Sequence, residues 1–443
     1  MKRNFLLAAL GLLVVAASFF PLFRYTDSRR FQEDEHIFVR RGIFLDYYLA
    51  GKFFDPIWQS FDSYDVPKFG EFFYGAVLRL YFGQSTQAYL ESVPLFLSPI
   101  DSPDHFWYAE YSRNSCCTIQ DLPPHIQERL QPILLARKFS VFFALFSLAI
   151  LFAIGWRSKS WLMGVLIVVI LGQNILFKDS MTTAMGDGPL IFWSVLYALC
   201  VGLFLKYFQE NRTKKYKLLF ILAAISSGLA TATKLNGVIN VIHFLLVAQL
   251  FLHWKIDPFR VLKYQVCFVG IAYVTFFVLN PFLWTDPLRN SMFMNITRQV
   301  TIEKQQAFSE KNDQSLRTVP NRILRSYQRT LASNSYYNNF KLQPELPIDL
   351  TLFLAGGVLL FNRLKKMTKL PNFAIKFAEK TSFGVWILLW GLITTLLIPL
   401  DWDHYYLPIV LGISVLQSYT ISEFLEKLLA CFSSSCKIVP DQK

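Results

Sequence analysis

The stretch LLARKFSVFFALFSLAILFAIGW, residues 134 to 156, decides the fold class of this chain. After Arg137 and Lys138 it continues to Trp156 without a charged residue. A helix rises about 1.5 Å per residue, so an apolar run of roughly 17 to 22 residues can cross the hydrocarbon core of a bilayer. The stretch therefore predicts a membrane-spanning helix with two basic side chains near its beginning.

The composition of the whole chain agrees with this prediction. Of its 443 residues, 53% are hydrophobic and 17% are charged, which is far from the composition of an ordinary soluble domain. The net charge of +13 is therefore better explained by membrane topology than by nucleic-acid binding. The six cysteines include no CxxC pair, so they give no zinc signal.

Ten apolar runs are distributed along the chain, and each predicts one span. They cover residues 4–23, 139–156, 161–177, 188–207, 218–232, 237–254, 265–284, 348–362, 382–400 and 404–421. The first run lacks a clean small-x-small cleavage site, which favours an uncleaved helix over a signal peptide. We therefore expect an all-α integral membrane protein, a polytopic bundle of about ten transmembrane helices.

Basic residues set the expected orientation of this bundle, because Lys and Arg in short loops favour the cytoplasmic side. With both termini cytoplasmic, the inner short loops hold Arg157, Lys159, Lys206, Arg212, Lys214, Lys215, Lys217, Lys255, Arg260, Lys263, Arg363, Lys365, Lys366, Lys369, Lys376 and Lys380. The outer short loops hold only Lys178 and Lys234. The expected location is a bacterial inner membrane, with the long loops on the periplasmic face.

Two long segments then lie outside the membrane, and each is expected to carry a short interfacial helix. The first contains FFYGAVLRLYFG (72–83), and the second contains Arg322, Arg325 and Arg329 at helical spacing. The expected division is a first span at 1–23, an outer loop at 24–138, spans two to seven at 139–284, a second outer loop at 285–347, spans eight to ten at 348–421 and a cytoplasmic tail at 422–443.

The stretch FQEDEHIFVRRG, residues 31 to 42, clusters acids on this outer face. A carboxylate there could act as a general base if it lies within hydrogen-bond reach of an acceptor hydroxyl. Asp34 and Glu35 are the candidates. The alternative is that they are loop acids paired with Arg40 or Arg41.

The surrounding sequence, EDEHIFVRRGIFLDYYLAGKFFDPIWQSFDSYDVPKFGEFFYGA (33–76), resembles the first outer loop of the protein O-mannosyltransferase and aminoarabinose-transferase superfamily. In that superfamily an Asp-Glu pair follows the first helix, and a Pro-Pro-Leu-type turn begins an interfacial helix about thirty residues later. Here YDVPKF (64–69) stands in the second place. The usual His-Pro-Pro or Gln-Pro-Pro is absent, and Asp65 and Lys68 are the pocket candidates in its neighbourhood.

Further stretches resemble the superfamily in the same order. Arg137 stands where members keep an arginine at the outer end of the second span. KDSMTTAMGDGPLIFWSVLYAL (178–199) places Asp187 at the start of the fourth span, and AAISSGLATATKLNGVI (223–239) resembles a turn that gives Lys234. In WDHYYLPIVLG (402–412), His404 or Tyr405 stands where an arginine is common.

The resemblance implies a GT-C-type fold and a mannosyltransferase-like glycosyltransferase that takes one sugar from a polyprenyl-phosphate donor. Asp34 or Glu35 would be the catalytic base, and Arg137 and Lys234 would bind the donor phosphate. Asp65, Lys68, Asp187, His404 and Tyr405 would line the donor and acceptor pocket. The implied partners are the lipid-linked sugar, the bilayer and a glycolipid, glycan or protein acceptor, with no nucleic acid.

Elementary electrostatics supports the two phosphate candidates, because the head of a polyprenyl phosphate should meet Lys or Arg at the outer ends of spans. The alternative for each is a snorkelling side chain that anchors a helix end. No metal or other cofactor is expected, although Asp34, Asp187 and Asp286 could imitate the acids that hold a metal in oligosaccharide-transferring relatives. The alternative functions are a non-catalytic transporter or flippase of lipid-linked sugars and a membrane scaffold.

Overall fold

The computed structural model describes residues 2–28, 33–83, 123–252, 256–310, 315–332, 335, 337–340, 347–368 and 373–435. Within these ranges the chain forms helices and their connections, and the β pairing is one isolated bridge between Ser315 and Leu400. The α-helices are α1 (Lys2–Ala17), α2 (Phe19–Ser28), α3 (Glu33–Arg40), α4 (Phe44–Leu49), α5 (Phe61–Asp65), α6 (Phe69–Phe82), α7 (Pro124–Ser158), α8 (Trp161–Gln173), α9 (Ile175–Thr182), α10 (Asp187–Gln209), α11 (Thr213–Thr233), α12 (Val238–Phe251), α13 (Pro258–Val278), α14 (Pro287–Glu310), α15 (Val319–Thr330), α16 (Ile348–Thr368), α17 (Phe373–Leu397) and α18 (Leu407–Ser435). The predicted all-α fold is confirmed.

In the described ranges, seven helical segments are long and apolar enough to cross a membrane. They are Phe5–Ser28, Leu130–Ser158, Asp187–Gln209, Thr213–Thr233, Pro258–Val278, Ala378–Leu397 and Asp403–Phe432. Helices α8 and α9 pass the same test together, but a 74° bend separates them. The two remaining predicted spans, 237–254 and 348–362, correspond to the shorter apolar segments Leu235–Phe251 and Ile348–Asn362. A multi-pass membrane fold is therefore confirmed, whereas the number of ten spans is not.

The bend between α8 and α9 follows from Asn174, whose extended backbone separates the two helices. Its side-chain oxygen accepts a hydrogen bond from the Phe177 amide at 3.0 Å, which is the usual way in which an Asn begins a helix. Its side-chain amide donates to the Tyr337 carbonyl at 3.0 Å. Helix α9 therefore turns away from the axis of α8 and leads the chain to Ala184 and the start of α10.

Helix α10 is the central helix of the bundle. Of its most apolar window, 72% is buried inside the protein, against 17% for the window of α13. It packs against α7, α11 and α17. Because α10 begins at Asp187, this carboxylate lies at the end of the bundle and in the middle of its cross-section.

Helix α6 occupies the place of the first predicted interfacial helix. It packs against the 3₁₀ turn Arg41–Ile43 through two glycines in direct backbone contact. A Cβ atom on Gly75 would lie 2.3 Å from the carbonyl oxygen of Gly42. No side chain fits there, so the glycine pair sets how closely α6 approaches Arg41.

The segment predicted as the second outer loop contains α14 and α15, and α15 carries Arg322, Arg325 and Arg329. Arg325 and Arg329 form ion pairs with Asp401 at 3.1 and 2.9 Å. Arg322 donates to the Leu316 carbonyl at 2.8 Å. The basic face of α15 therefore packs onto the bundle at the C-terminal end of α17.

Replacement of Gly75 tests the contact between α6 and the Arg41 turn. We expect Gly75→Val to lower the free energy of unfolding by about 2 kcal/mol or more, because two backbone segments must separate to admit the side chain. The control is Gly391→Ala in α17, where a new Cβ would have no atom within 4 Å. Thermal unfolding in detergent measures both, and equal midpoints for the two variants would contradict the contact.

Candidate active site

The first cluster is a buried ion pair between Glu35 and Arg137. Arg137 donates from Nε and Nη2 to the two Glu35 carboxylate oxygens at 2.9 and 2.6 Å. The side chains are 0% and 1% exposed. The Ala184 amide also donates to Glu35 at 2.9 Å, and Arg137 Nη1 donates to the Thr26 carbonyl at 3.1 Å. One ion pair therefore joins α2, α3, α7 and the segment before α10.

The pair limits the roles predicted for the two residues, which are catalytic base for Glu35 and donor-phosphate ligand for Arg137. Both carboxylate oxygens of Glu35 accept hydrogen bonds from Arg137, so their positions are set by the pair. A bidentate pair of this kind holds its partners in one orientation. Asp34 lies just before Glu35 in the first turn of α3, and its side chain lies outside the described part of the structure.

The second cluster joins Asp187 and Lys234. The Lys234 Nζ lies 2.8 Å from Asp187 Oδ1, and the side chains are 15% and 6% exposed. The other carboxylate oxygen, Oδ2, is buried and has no hydrogen-bond partner among the described residues. Lys234 follows the last turn of α11 with an extended backbone, so its ammonium group reaches across to the start of α10.

The Lys234 turn depends on a glycine three residues later. A Cβ atom on Gly237 would lie 2.3 Å from the Ala230 carbonyl carbon, so the turn packs directly on α11. The Gly237 amide donates to the Lys234 carbonyl at 2.8 Å. This is the physical reason for the Lys-x-x-Gly spacing seen in the sequence.

His404 and Tyr405 lie beside this pair, on the 3₁₀ turn Asp403–Tyr406 that precedes α18. The Lys234 Nζ lies 6.0 Å from the centre of the Tyr405 ring. His404 is close enough to interact electrostatically with Lys234 and Asp187. The structure thus brings together four of the residues singled out in the sequence.

Asp65 and Lys68 belong to a third cluster, which is centred on Arg41. The Arg41 guanidinium pairs with Asp62 at 2.7 Å, Asp65 at 3.1 Å and Glu71 at 3.6 Å. Lys68 Nζ pairs with Glu71 at 2.9 Å, and both side chains are fully buried. Arg41, considered from the sequence as a partner of Asp34 or Glu35, therefore pairs with the acids of α5 and α6.

Burial controls the ionisation of this third cluster. It raises the pKa of Glu71 to about 7, against the opposing influence of Lys68 and Arg41. It also lowers the pKa of Lys68, although the neighbouring Glu71 carboxylate partly offsets this. The Glu71 Oε1 atom has no hydrogen-bond partner in the described residues, which adds to the cost of ionising this carboxyl.

Arg298 and Tyr74 connect the three clusters. Arg298, on α14, lies 3.5 Å from Asp65 and interacts electrostatically with His404. The Tyr74 hydroxyl, on α6, donates to the Met185 carbonyl at 2.7 Å. Burial raises the pKa of Tyr74, and the charges of Glu35 and Asp187 raise it further. The clusters therefore form one composite site at one end of the bundle.

Sequence reasoning missed Arg41, Glu71 and Arg298 as members of this site. The Lys68 to Glu71 spacing of three residues on a helix was a signal that could have paired them. Arg298 has no comparable signal, because its partner Asp65 is far away in the sequence and meets it only when α14 packs on α5.

Residues 117–287 match the family model described as dolichyl-phosphate-mannose-protein mannosyltransferase. The match confirms the resemblance found in the motifs and is consistent with a membrane glycosyltransferase of the GT-C type. Arg137, Asp187 and Lys234 lie within the matched range, whereas Glu35 and His404 lie outside it. No curated protein matches the chain.

Asp34, Asp187 and Asp286 are the three acids that could form a metal site according to the sequence. Among the described residues, no three His, Cys, Asp or Glu side chains are grouped so that they could hold a metal ion. Asp286 accepts a hydrogen bond from the Arg289 amide at 3.0 Å at the beginning of α14. In the described structure this carboxylate therefore has a capping role.

The buried pair can be tested with a double-mutant cycle. We expect Arg137→Met to cost about 3–5 kcal/mol of stability, because it leaves the Glu35 carboxylate buried without its charge partner. Combining Arg137→Met with Glu35→Gln should cost less than the sum of the single changes. The matched control is Arg260→Met, which removes an exposed pair with Asp257 and should cost less than about 1 kcal/mol. Additive effects in thermal unfolding would contradict the pairing.

The ionisation of Glu71 gives a pH-dependent prediction. Its folded-state pKa is about 7 and its ordinary value is 4.5, so its contribution to stability is full below about pH 4.5 and is lost as the pH rises through 7. Infrared spectra should therefore contain a protonated-carboxyl absorption at pH 5 that disappears by pH 8 and is absent from Glu71→Gln. Identical spectra for the wild type and the variant would contradict the raised pKa.

Proposed function

We propose that this protein transfers one sugar from a polyprenyl-phosphate donor to an acceptor hydroxyl on the outer face of a membrane, with inversion at the anomeric carbon. The observation that carries the proposal is the convergence of acids and bases from distant parts of the chain at one end of the bundle. Glu35, Arg137, Asp187, Lys234 and His404 all contribute. The matched family supports the reaction class.

We assign the general base to Asp34. Its neighbour Glu35 is held by Arg137 and the Ala184 amide. These bonds fix the first turn of α3, which contains Asp34, relative to α7 and the start of α10. Glu35 is the alternative base, but it would have to leave its charge partner in a buried environment, which is costly. In this assignment Glu35 and Arg137 are positioning residues.

The displacement is a single step. The acceptor oxygen gives its proton to Asp34 and forms a bond to the anomeric carbon, while the bond from that carbon to the phosphate oxygen breaks. The electron pair leaves with the polyprenyl phosphate. No covalent glycosyl-enzyme intermediate is needed, so the configuration at the anomeric carbon inverts.

We assign the donor phosphate to the neighbourhood of Lys234 and Arg298. The side chains of Lys234 and Arg298 are 15% and 29% exposed, so both are partly accessible at the site. A positive group that is already in place stabilises the charge that develops on a leaving phosphate. Arg137 would have to release Glu35 before it could bind phosphate directly, so its burial supports the positioning role more than the ligand role.

Acids and aromatic groups around Lys234 complete the proposed pocket. Asp187 orients Lys234, and His404 and Tyr405 lie beside the pair. Asp65 and Lys68 would act on the acceptor side through the Arg41 cluster. We propose a glycolipid, glycan or protein hydroxyl as acceptor, a bacterial inner membrane as location and a periplasmic site, with both termini cytoplasmic and no metal requirement.

A transporter or flippase for lipid-linked sugars is the alternative function. It would be expected to place ionisable residues near the middle of the membrane. His243 lies in a helix of the bundle, but its two ring nitrogens already bond the Tyr197 hydroxyl at 2.6 Å and the Ser382 carbonyl at 2.9 Å. Asp187 begins α10, Lys234 directly follows α11 and Glu35 lies in the first turn of α3, so these charged groups lie at helix ends, which favours the transferase.

The proposal is tested by turnover of purified protein in nanodiscs with a panel of radiolabelled polyprenyl-phosphate sugars, with and without membrane extract as acceptor. We expect acceptor-dependent release of polyprenyl phosphate from one donor. Asp34→Asn should lower kcat at least about 100-fold, because general-base catalysis is lost. Lys234→Met should raise the donor KM about tenfold or more, through the loss of a charged phosphate contact.

The matched control is Lys178→Met, because Lys178 is the other lysine of the outer short loops and lies outside the three clusters. It should retain wild-type kinetics. Normal turnover by Asp34→Asn would transfer the role of base to Glu35. If folded protein releases no polyprenyl phosphate from any donor, the transferase is contradicted and lipid translocation becomes the function to assay.

A further inference from the structure

Residues 398–402 connect α17 to the 3₁₀ turn Asp403–Tyr406 and lie outside any helix. Backbone groups in such a connection need partners from elsewhere. The Leu316 amide and the Gln306 side-chain amide both donate to the Pro399 carbonyl, at 3.0 and 3.1 Å. The connection is therefore held by α14 and by the segment before α15.

Asp401 in this connection is the point at which α15 is attached by charge. Arg329 donates from Nε to Asp401 Oδ1 at 2.9 Å and from Nη2 to Oδ2 at 3.0 Å. Arg325, one turn earlier on α15, has its Nε atom 3.1 Å from Oδ2. The Asp401 side chain is 3% exposed. A bidentate arginine holds a carboxylate in one orientation, so the position of α15 fixes that of Asp401.

The turn after Asp401 is closed by a hydrogen bond. The Tyr406 hydroxyl is buried and donates to Asp401 Oδ1 at 2.7 Å. His404 and Tyr405 lie between these two bonded residues. We call residues 403–406 the His404 turn. Its position must follow that of Asp401, because the turn comes just after this residue in the chain and Tyr406 bonds back to it.

The His404 turn brings two ring side chains close to the lysine that we assign to the donor phosphate. The centre of the Tyr405 ring lies 6.0 Å from Lys234 Nζ, and His404 interacts electrostatically with the same lysine. The centres of the two rings lie 4.4 Å apart, and Trp402 stacks on Tyr405 with ring centres 6.3 Å apart. A continuous series of contacts therefore leads from α15 through Asp401 to Lys234.

Direct binding of phosphate by the two arginines is the alternative role. The side chains of Arg325 and Arg329 are 32% and 31% exposed, so both are partly accessible. To bind a ligand with its guanidinium fork, Arg329 would have to release both oxygens of Asp401. Separating a buried carboxylate from such a partner is costly, which favours a role through Asp401 over direct binding.

We propose that Arg325 and Arg329 are positioning residues of the glycosyl-transfer site. Acting through Asp401, they hold the His404 turn beside Lys234 and so set the surroundings of its ammonium group. The part of this inference that concerns donor binding rests on the proposed function, whereas the placement of the turn does not.

The placement of the turn is tested without substrate. Fluorotyrosine is incorporated at position 405, and fluorine NMR spectra are recorded for the protein in nanodiscs. We expect Arg329→Met to shift the fluorine resonance from its wild-type position, because the bidentate bond no longer holds the turn. The matched control Arg260→Met removes an exposed arginine–aspartate pair at the beginning of α13 and should leave the resonance unchanged.

Kinetics with the polyprenyl-phosphate donor test the role in binding. We expect Arg329→Met to raise the donor KM about fivefold or more, while kcat changes less than about twofold, because Lys234 is affected and the proposed base Asp34 is not. A purely structural role would lower the amount of folded enzyme and leave KM unchanged. Arg329→Lys keeps the charge but loses the bidentate bond, so its KM should lie between those of the wild type and Arg329→Met.

Thermal unfolding verifies that the variants are folded, and Arg325→Met replaces Arg329→Met if the latter does not fold. An unchanged fluorine resonance in the folded variant would overturn the proposal, even if the protein is an active transferase. A shifted resonance with an unchanged donor KM would also overturn it. If the wild type turns over no donor, the proposed function fails together with the role in donor binding, and the fluorine spectra alone decide the placement of the turn.

Discussion

The buried pair of Glu35 and Arg137 is the interaction on which the end of the bundle that holds the candidate site depends. Removing two charges from water is costly, and the cost is recovered only when the geometry is good and the remaining donors and acceptors are bonded. Here the pair is bidentate, and the Ala184 amide and the Thr26 carbonyl engage further atoms. Four segments that are distant in the sequence therefore have one arrangement in which these charges are satisfied.

The rest of the site follows from that arrangement. Ala184, held by Glu35, lies three residues before Asp187, so the position of α3 is coupled to the start of the central helix α10. Tyr74 holds the same segment from the side of α6 through the Met185 carbonyl. Asp187 in turn orients Lys234. The positions of α3, α10 and Lys234 are therefore coupled to one another. In the proposed reaction this coupling would hold the base and the phosphate-binding cation in fixed relative positions.

Much of the fold could be predicted from the sequence, because a helix in lipid must satisfy its backbone internally and so needs a long apolar run. The bend at Asn174 could not be predicted from the sequence, since it depends on one capping residue inside such an apolar run. Leu235–Phe251 and Ile348–Asn362, the latter being the apolar part of α16, have the expected pattern, but as apolar segments they are shorter than the seven that are long enough to cross a membrane. The pattern of apolar residues locates a helix more reliably than it determines its length or its crossing of the bilayer.

For the site, the order of the motifs singled out Asp187, Lys234 and His404, and the structure places these three residues near one another. It did not predict that Glu35 and Arg137 bond each other, because residue type alone does not distinguish a phosphate ligand from a structural partner. The Arg41 cluster was also not predicted, because Glu71 is an isolated acid in a largely apolar helix. Its burial beside Lys68 arises only when α6 packs on the Arg41 turn.

The most direct test is a structure determined by electron cryomicroscopy with polyprenyl phosphate, the lipid product of the proposed transfer, bound to the protein. We predict that a phosphate oxygen lies about 3 Å from Lys234 Nζ, while Glu35 and Arg137 remain paired. A phosphate bound elsewhere, with Lys234 still paired only to Asp187, would contradict the central claim.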